Sequence, residues 1–162
     1  MIYTIDNMQP LFEFVDRLQG VKHSEKYHPE GDVLTHSLQV LRIAFRESVD
    51  TDLILAAFLH DIGKFENSHG HEQLAVEWLN SYCSVKTLWL IENHMRIHYY
   101  LNGTMTKLGK CLELAHHPWL PELIQLARWD KIGRVPGVKL VYDKVVIIER
   151  LNKAAQEHFK GE

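Results

Sequence analysis

The chain has 162 residues, 46% hydrophobic and 24% charged, which is enough apolar bulk for a core in one globular domain. Its formal charge of -3 gives no electrostatic footprint for duplex nucleic acid, and no stretch reaches the ~18 apolar residues of a membrane helix. Cys83 and Cys111 lack CxxC spacing and "MIYTIDNMQP" lacks a basic n-region, so the expectation is a cytoplasmic protein with no signal peptide and no zinc knuckle.

The apolar periodicity is helical almost throughout. Residues 8–19 predict a first helix ending at Gly20. In "HPEGDVLTHSLQVLRIAFRES", Asp32 is the expected N-cap of a helix running to Ser48, with Leu34, Leu38, Leu41 and Phe45 on one face. A helix over 51–60 follows, then "DIGKFENSHG" as loop. Helices are predicted over 71–82, 84–98, 104–115 and 119–132, with a turn at 101–103. "HHPW" (116–119) reads as a proline-driven break that packs Trp119 into the core. The tail from Val138 to Phe159 reads as one long helix, its Val141, Val145, Ile148, Leu151 and Ala155 stripe turned to the core. No strand, repeat or linker is evident. The expected architecture is a single all-α domain over residues 1–162, a bundle of about seven or eight helices.

Eleven histidines in so short a chain point to metal or acid–base chemistry. His23 and His158 are expected at the surface, and Tyr99 and Trp129 read as core aromatics rather than as stacking platforms for a base. "FLHDIGKF" (58–65) is the informative stretch: an apolar helix ends in an imidazole and a carboxylate, and a buried lone carboxylate is costly. Residues three, four and seven apart share a helix face. Leu53, Ala56 and Ala57 therefore lie below His60, and Ile54 and Ala57 below Asp61. Leu123, Leu126 and Ala127 lie below Asp130, His36 sits between Val33 and Val40, and His94 follows Leu90 and Ile91. Four helices thus aim a ligand at the interior, and a divalent cation offsets the cost of gathering them. Imidazole and carboxylate without thiolate suits manganese, iron, cobalt, nickel or zinc, with magnesium also admissible.

The order His36, then His60-Asp61, then Asp130 resembles the HD-domain metal-dependent phosphohydrolase superfamily. "HPEGDVLTHSLQVL" (28–41), "HDIGKF" (60–65), "HGHEQLAVEWL" (69–79), "IENH" (91–94) and "DKIGR" (130–134) look like successive blocks of the HD domain of bacterial tRNA nucleotidyltransferases. The motif-bearing core would span 28–134, followed by the C-terminal helix at 138–159. The resemblance implies His36, His60, Asp61 and Asp130 as metal ligands, with Asp61 able to bridge to a second ion held by His71 and His94. It implies catalytic roles for Asp61, for Lys64 and Arg134 on phosphate oxygens, and for His94 as proton donor where it is not a ligand; His69 is a candidate phosphate contact. The roles of His116 and His117 stay open.

There are departures from the wider family. Only 27 residues precede His28, too few for a nucleotidyltransferase head, so CCA addition is not expected. "MRIHYYLNGTMT" after His94 has no GYP, which disfavours cyclic-di-GMP hydrolysis, and Ile-Gly-Lys after Asp61 weakens a deoxynucleotidase assignment. The resemblance implies hydrolysis of phosphomonoesters or phosphodiesters of nucleotides, or of 2′,3′-cyclic or terminal phosphates on RNA ends. Hydrolysis of diadenosine polyphosphates or deoxynucleoside triphosphates is the alternative within enzymes, and a non-catalytic module binding metal or nucleotide is the alternative outside them.

Overall fold

The computed structural model describes residues 2–161. Among these, the chain forms nine α-helices and one 3-10 turn, with no strand, as an all-α bundle requires. The helices are α1 (Ile5–Asp16), α2 (Val33–Glu47), α3 (Thr51–Leu59), α4 (His71–Leu79), α5 (Val85–Asn93), α6 (Arg96–Leu101), α7 (Leu108–Ala115), α8 (Leu120–Ile132) and α9 (Lys144–Lys160); the 3-10 turn is Ile62–Phe65. No described helix is long and apolar enough to cross a membrane.

α3 is the centre. Residues 53–59 are all buried, and the helix packs on α2, α5, α8 and α9. A helix covered on every side needs apolar residues all round, and "LILAAFL" supplies them. α2 and α8 pack on each other, as do α4 and α5, so the ends of four helices meet beyond the C-terminus of α3. Trp129 is fully buried, as expected, and donates its indole N–H to Glu47, whereas Tyr99, expected in the core, is 52% exposed. Trp119 is only half-buried, edge-on to Trp89.

Several boundaries differ from expectation: α1 ends at Asp16, α4 at Leu79 and α7 starts only at Leu108, and three further differences have a clear local cause. α1 begins at Ile5, because Thr4 and Asn7 close a reciprocal capping box. The predicted 84–98 helix is two helices, because His94 Nδ1 donates to the Ile91 carbonyl at 2.6 Å and competes with the helical ladder. Residues 138–142 are not helical, since Asp143 caps α9 through Val145 N and Val146 N. The predicted stripe shifts with that start: Val141 is 88% exposed, Val145 is also exposed and Ala155 is half-buried. The buried face is Ile147, Ile148, Leu151 and Ala154.

Asp50 anchors the central helix. Its carboxylate accepts from Asp52 N and Leu53 N, and Lys86 Nζ donates to it at 2.6 Å. Loss of such a cap costs about 1 kcal/mol. Asp50→Ala is therefore expected to lower the thermal midpoint by about 2–4 °C, measured by circular dichroism, while Lys139→Ala, exposed and outside any helix, leaves it unchanged.

Candidate metal centre

Six side chains converge where those helix ends meet: His36 from α2, His60 and Asp61 after α3, His71 at the start of α4, His94 after α5 and Asp130 from α8. All six residues are at most 5% exposed. The backbone fixes the imidazoles. Nδ1–H of His60, His71 and His94 each donates to a carbonyl three residues back, on Ala57, Ser68 and Ile91, while His36 Nδ1–H donates to Gly133 O. Each ring therefore turns its Nε2 inward, the orientation a metal-binding histidine needs.

The inward atoms form two groups that share Asp61. In the first, His36 Nε2 stands 2.8 Å from Asp130 Oδ1 and 3.7 Å from Asp61 Oδ2. His60 Nε2 stands 3.3 Å from Asp61 Oδ2 and 3.6 Å from Asp130 Oδ1. Donors bound to one ion at about 2.0–2.2 Å lie about 3.0–3.5 Å apart, so these spacings suit a common cation. His60 Nε2 is fully buried and has no hydrogen-bond partner, an orphan that a cation would satisfy. In the second group, Asp61 Oδ1 lies 3.0 Å from His71 Nε2 and 3.4 Å from His94 Nε2. Those two nitrogens are 3.1 Å apart, a repulsive arrangement of lone pairs unless a proton or a cation joins them.

The electrostatics are those of a site built for positive charge. Burial alone would raise the pKa of both aspartates, yet His60 and Lys64 hold Asp61, and His36, His60 and His98 hold Asp130, well below the usual carboxylate range. Burial alone would lower His60, but Asp61 and Asp130 override it and raise it to about 10. His36 is raised for the same reason, against its burial, by Asp130 and Glu30. Burial lowers His94.

The proton on His60 competes with any cation. Because its pKa lies near 10, apparent metal affinity is expected to rise about tenfold per pH unit between pH 6.5 and 8.5, with at least one proton released on loading. Calorimetric titration in two buffers of different ionisation enthalpy counts that proton; pH-independent affinity would contradict the arrangement. In the ion-free fold, the stabilising contribution of His60 is fully present below pH 6.5 and is lost as pH rises through about 10. That of the two aspartates is present above pH 3.8 and is lost on acidification.

The remaining expected site residues take varied positions. Lys64 Nζ is 3.2 Å from Asp61 Oδ2. Arg134 is half-buried, its Nε on Asp130 O and an Nη on Tyr27 O. His69 is exposed, with its backbone N–H on Asn67 Oδ1. Sequence reasoning missed His98, whose Nε2 lies 3.0 Å from Asp130 Oδ2. It sits four residues after His94, a same-face spacing that could have found it. Sequence reasoning also misplaced His23: its imidazole is 4% exposed and lies beside Glu30 and His28. His158 is exposed, as expected.

A helical bundle that gathers two buried aspartates and four inward-facing imidazoles has the donor set to hold a metal, and the sequence comparison names its family. The HD domain family model matches residues 33–134, and the chain belongs to the HD domain family. It is similar to the multifunctional CCA protein of Thioalkalivibrio sulfidiphilus (strain HL-EbGR7), 41% identical over 80 residues, which cover 45% of this chain and 20% of that protein. It is also similar to the multifunctional CCA protein of Methylococcus capsulatus (strain ATCC 33009 / NCIMB 11132 / Bath), 36% identical over 83 residues, which cover 47% of this chain and 20% of the other. The matched segment spans only a fifth of each of these curated relatives.

Proposed function

We propose that the protein is a metal-dependent phosphohydrolase. It cleaves phosphomonoester or phosphodiester bonds of nucleotides, or the 2′,3′-cyclic or terminal phosphates of RNA ends. The observation that carries this reading is Asp61, which offers one oxygen to His60 and His36 and the other to His71 and His94. Family membership supports the phosphate-ester chemistry, and similarity to multifunctional CCA proteins supports a nucleotide or nucleic-acid-end substrate. Residues 1–162 are read as one HD domain. Two cysteines outside any disulfide, Cys83 and Cys111, suit the cytoplasmic setting that is part of the proposal.

His36, His60, Asp61 and Asp130 would hold one divalent cation, of manganese, iron, cobalt, nickel or zinc type. His71 and His94 would hold a second, with Asp61 shared. When bound, such a cation supplies charge neutralisation on the phosphate and activation of a water nucleophile. The chain's own residues do the rest. Asp130, held anionic by His36, His60 and His98, helps to fix the ion, and His98 on its other oxygen steadies the carboxylate. Lys64 brings a point charge to the non-bridging oxygens, and Arg134 turns its remaining N–H groups to the same phosphate. In a one-ion enzyme His94 protonates the leaving oxygen.

The test is metal-stripped protein re-supplied with manganese, cobalt, nickel, zinc or magnesium in turn. Each form meets a model phosphodiester, a monoester, 2′,3′-cyclic nucleotides, diadenosine polyphosphates and nucleoside triphosphates. Hydrolysis of a mono- or diester restored by at least one transition ion is expected. No hydrolysis with any ion would leave a non-catalytic binding module.

A further inference from the structure

Ahead of α2, the loop at 21–32 folds three chemistry-bearing residues against the outer side of His36. Glu30 is buried, with a fully covered carboxylate. His28 Nδ1 lies 2.8 Å from Glu30 Oε1, and His23 Nε2 lies 3.7 Å from the same oxygen. The rings of His23 and His28 are stacked at 3.6 Å. Three polar atoms here are buried without a hydrogen-bond partner: Glu30 Oε2 and both nitrogens of His23. Orphaned buried polar atoms are rare, because each forfeits its hydration without return. The Glu30 carboxylate is fully covered but held by His36, by its own backbone N–H and by His28, so it stays an anionic oxygen donor.

We propose that His23, His28 and Glu30 form a further binding site for a divalent transition-metal cation, separate from the centre around Asp61. Two imidazoles and a carboxylate are a nitrogen–oxygen donor set suited to ions of the zinc, cobalt or nickel type. The ion would take up one of the two orphaned His23 nitrogens and a Glu30 oxygen. The site is reachable: a cleft of about 510 Å³, lined in part by Gly20, Lys22, His23, His28 and Asp32, opens beside it. His36 lies between the two sites. Its Nε2 faces Asp130 at 2.8 Å and its Nδ1 lies 3.4 Å from Glu30 Oε1. The His28 and His36 ring centres are 4.9 Å apart. A cation here adds positive charge to the cleft wall one imidazole away from the main centre.

The site is tested first with Co2+ alone. Asp61→Asn protein and the Asp61→Asn/His23→Ala double variant are stripped, dialysed against equal free Co2+ and compared by elemental analysis. The double variant is expected to hold one ion fewer per chain. This difference reads the new site whatever the main centre retains, so its failure is distinct from failure of the phosphohydrolase reading. Equal metal content in the two proteins overturns the proposal. A measurement without a substitution in the site guards against misfolding. In Asp61→Asn protein, the imidazole nitrogen signals of His23 and His28 are expected to show a coordination shift on addition of diamagnetic Zn2+, and unchanged signals at saturating Zn2+ overturn the proposal.

Discussion

Asp61→Asn is expected to reduce metal affinity at the centre around Asp61, and phosphate-ester turnover with it, by about two to four orders of magnitude. The change is nearly isosteric, so the packing around it survives. What disappears is the charge that faces His60 at 3.3 Å, His71 at 3.0 Å and Lys64 at 3.2 Å. Removing one partner of a buried ionic cluster costs about 3–5 kcal/mol, and each 1.36 kcal/mol is a factor of ten in rate. The amide can still accept a hydrogen bond through its oxygen but cannot present an anionic oxygen to each side. Elemental analysis and steady-state hydrolysis measure the two losses together. A variant that keeps full metal content and turnover would remove Asp61 from the centre. A binding module, by contrast, would keep its partner affinity largely intact.

Gly63→Ala is expected to be the most damaging single methyl in the chain. A Cβ on Gly63 would lie 2.0 Å from the carbonyl oxygen of His71 and under 3.0 Å from that residue's Cα and carbonyl carbon. These are backbone atoms of the first turn of α4 and cannot swing aside as a side chain can. The whole turn must retreat, and it carries the His71 ring that stands 3.0 Å from Asp61. Overpacking of this kind costs about 3 kcal/mol, or about 6–12 °C in thermal midpoint. Metal content should fall as well, by the share that depends on His71. Gly109→Ala is the control. Gly109 lies in α7, a Cβ there meets nothing within 4 Å, and the change should stabilise by about 0.5–1 kcal/mol. Equal midpoints for the two variants would contradict the close approach.

The convergence of His36, His60, Asp61 and Asp130 was legible because each lies three or four residues from apolar positions of a helix, His60 and Asp61 just past the end of theirs. Helical geometry then dictates that all four point inward. The glycines of "HDIGKF" and "DKIGR" carry a second message that only the folded chain reveals: Gly63 meets the His71 backbone, and a Cβ on Gly133 would lie 2.7 Å from Val40 Cγ2. The break after Asn93 was hidden because "LIENHMRIHYYL" keeps an apolar period through it. Only the His94 ring, folding back on Ile91 O, decides where the helix steps. The false start of the last helix has the opposite cause. Val138, Leu140 and Val141 extend an apolar pattern that the Asp143 cap cuts off. The grouping of His23, His28 and Glu30 left no periodic signal, since loop residues meet through the path of the chain.

The central claim is that a cation sits among His36 Nε2, His60 Nε2, Asp61 Oδ2 and Asp130 Oδ1. The direct measurement is anomalous X-ray diffraction from crystals grown with zinc or manganese, collected at the absorption edge of the metal. The account predicts an anomalous peak at that point, about 2.0–2.3 Å from each of the four atoms. A saturated crystal with no peak there would contradict it.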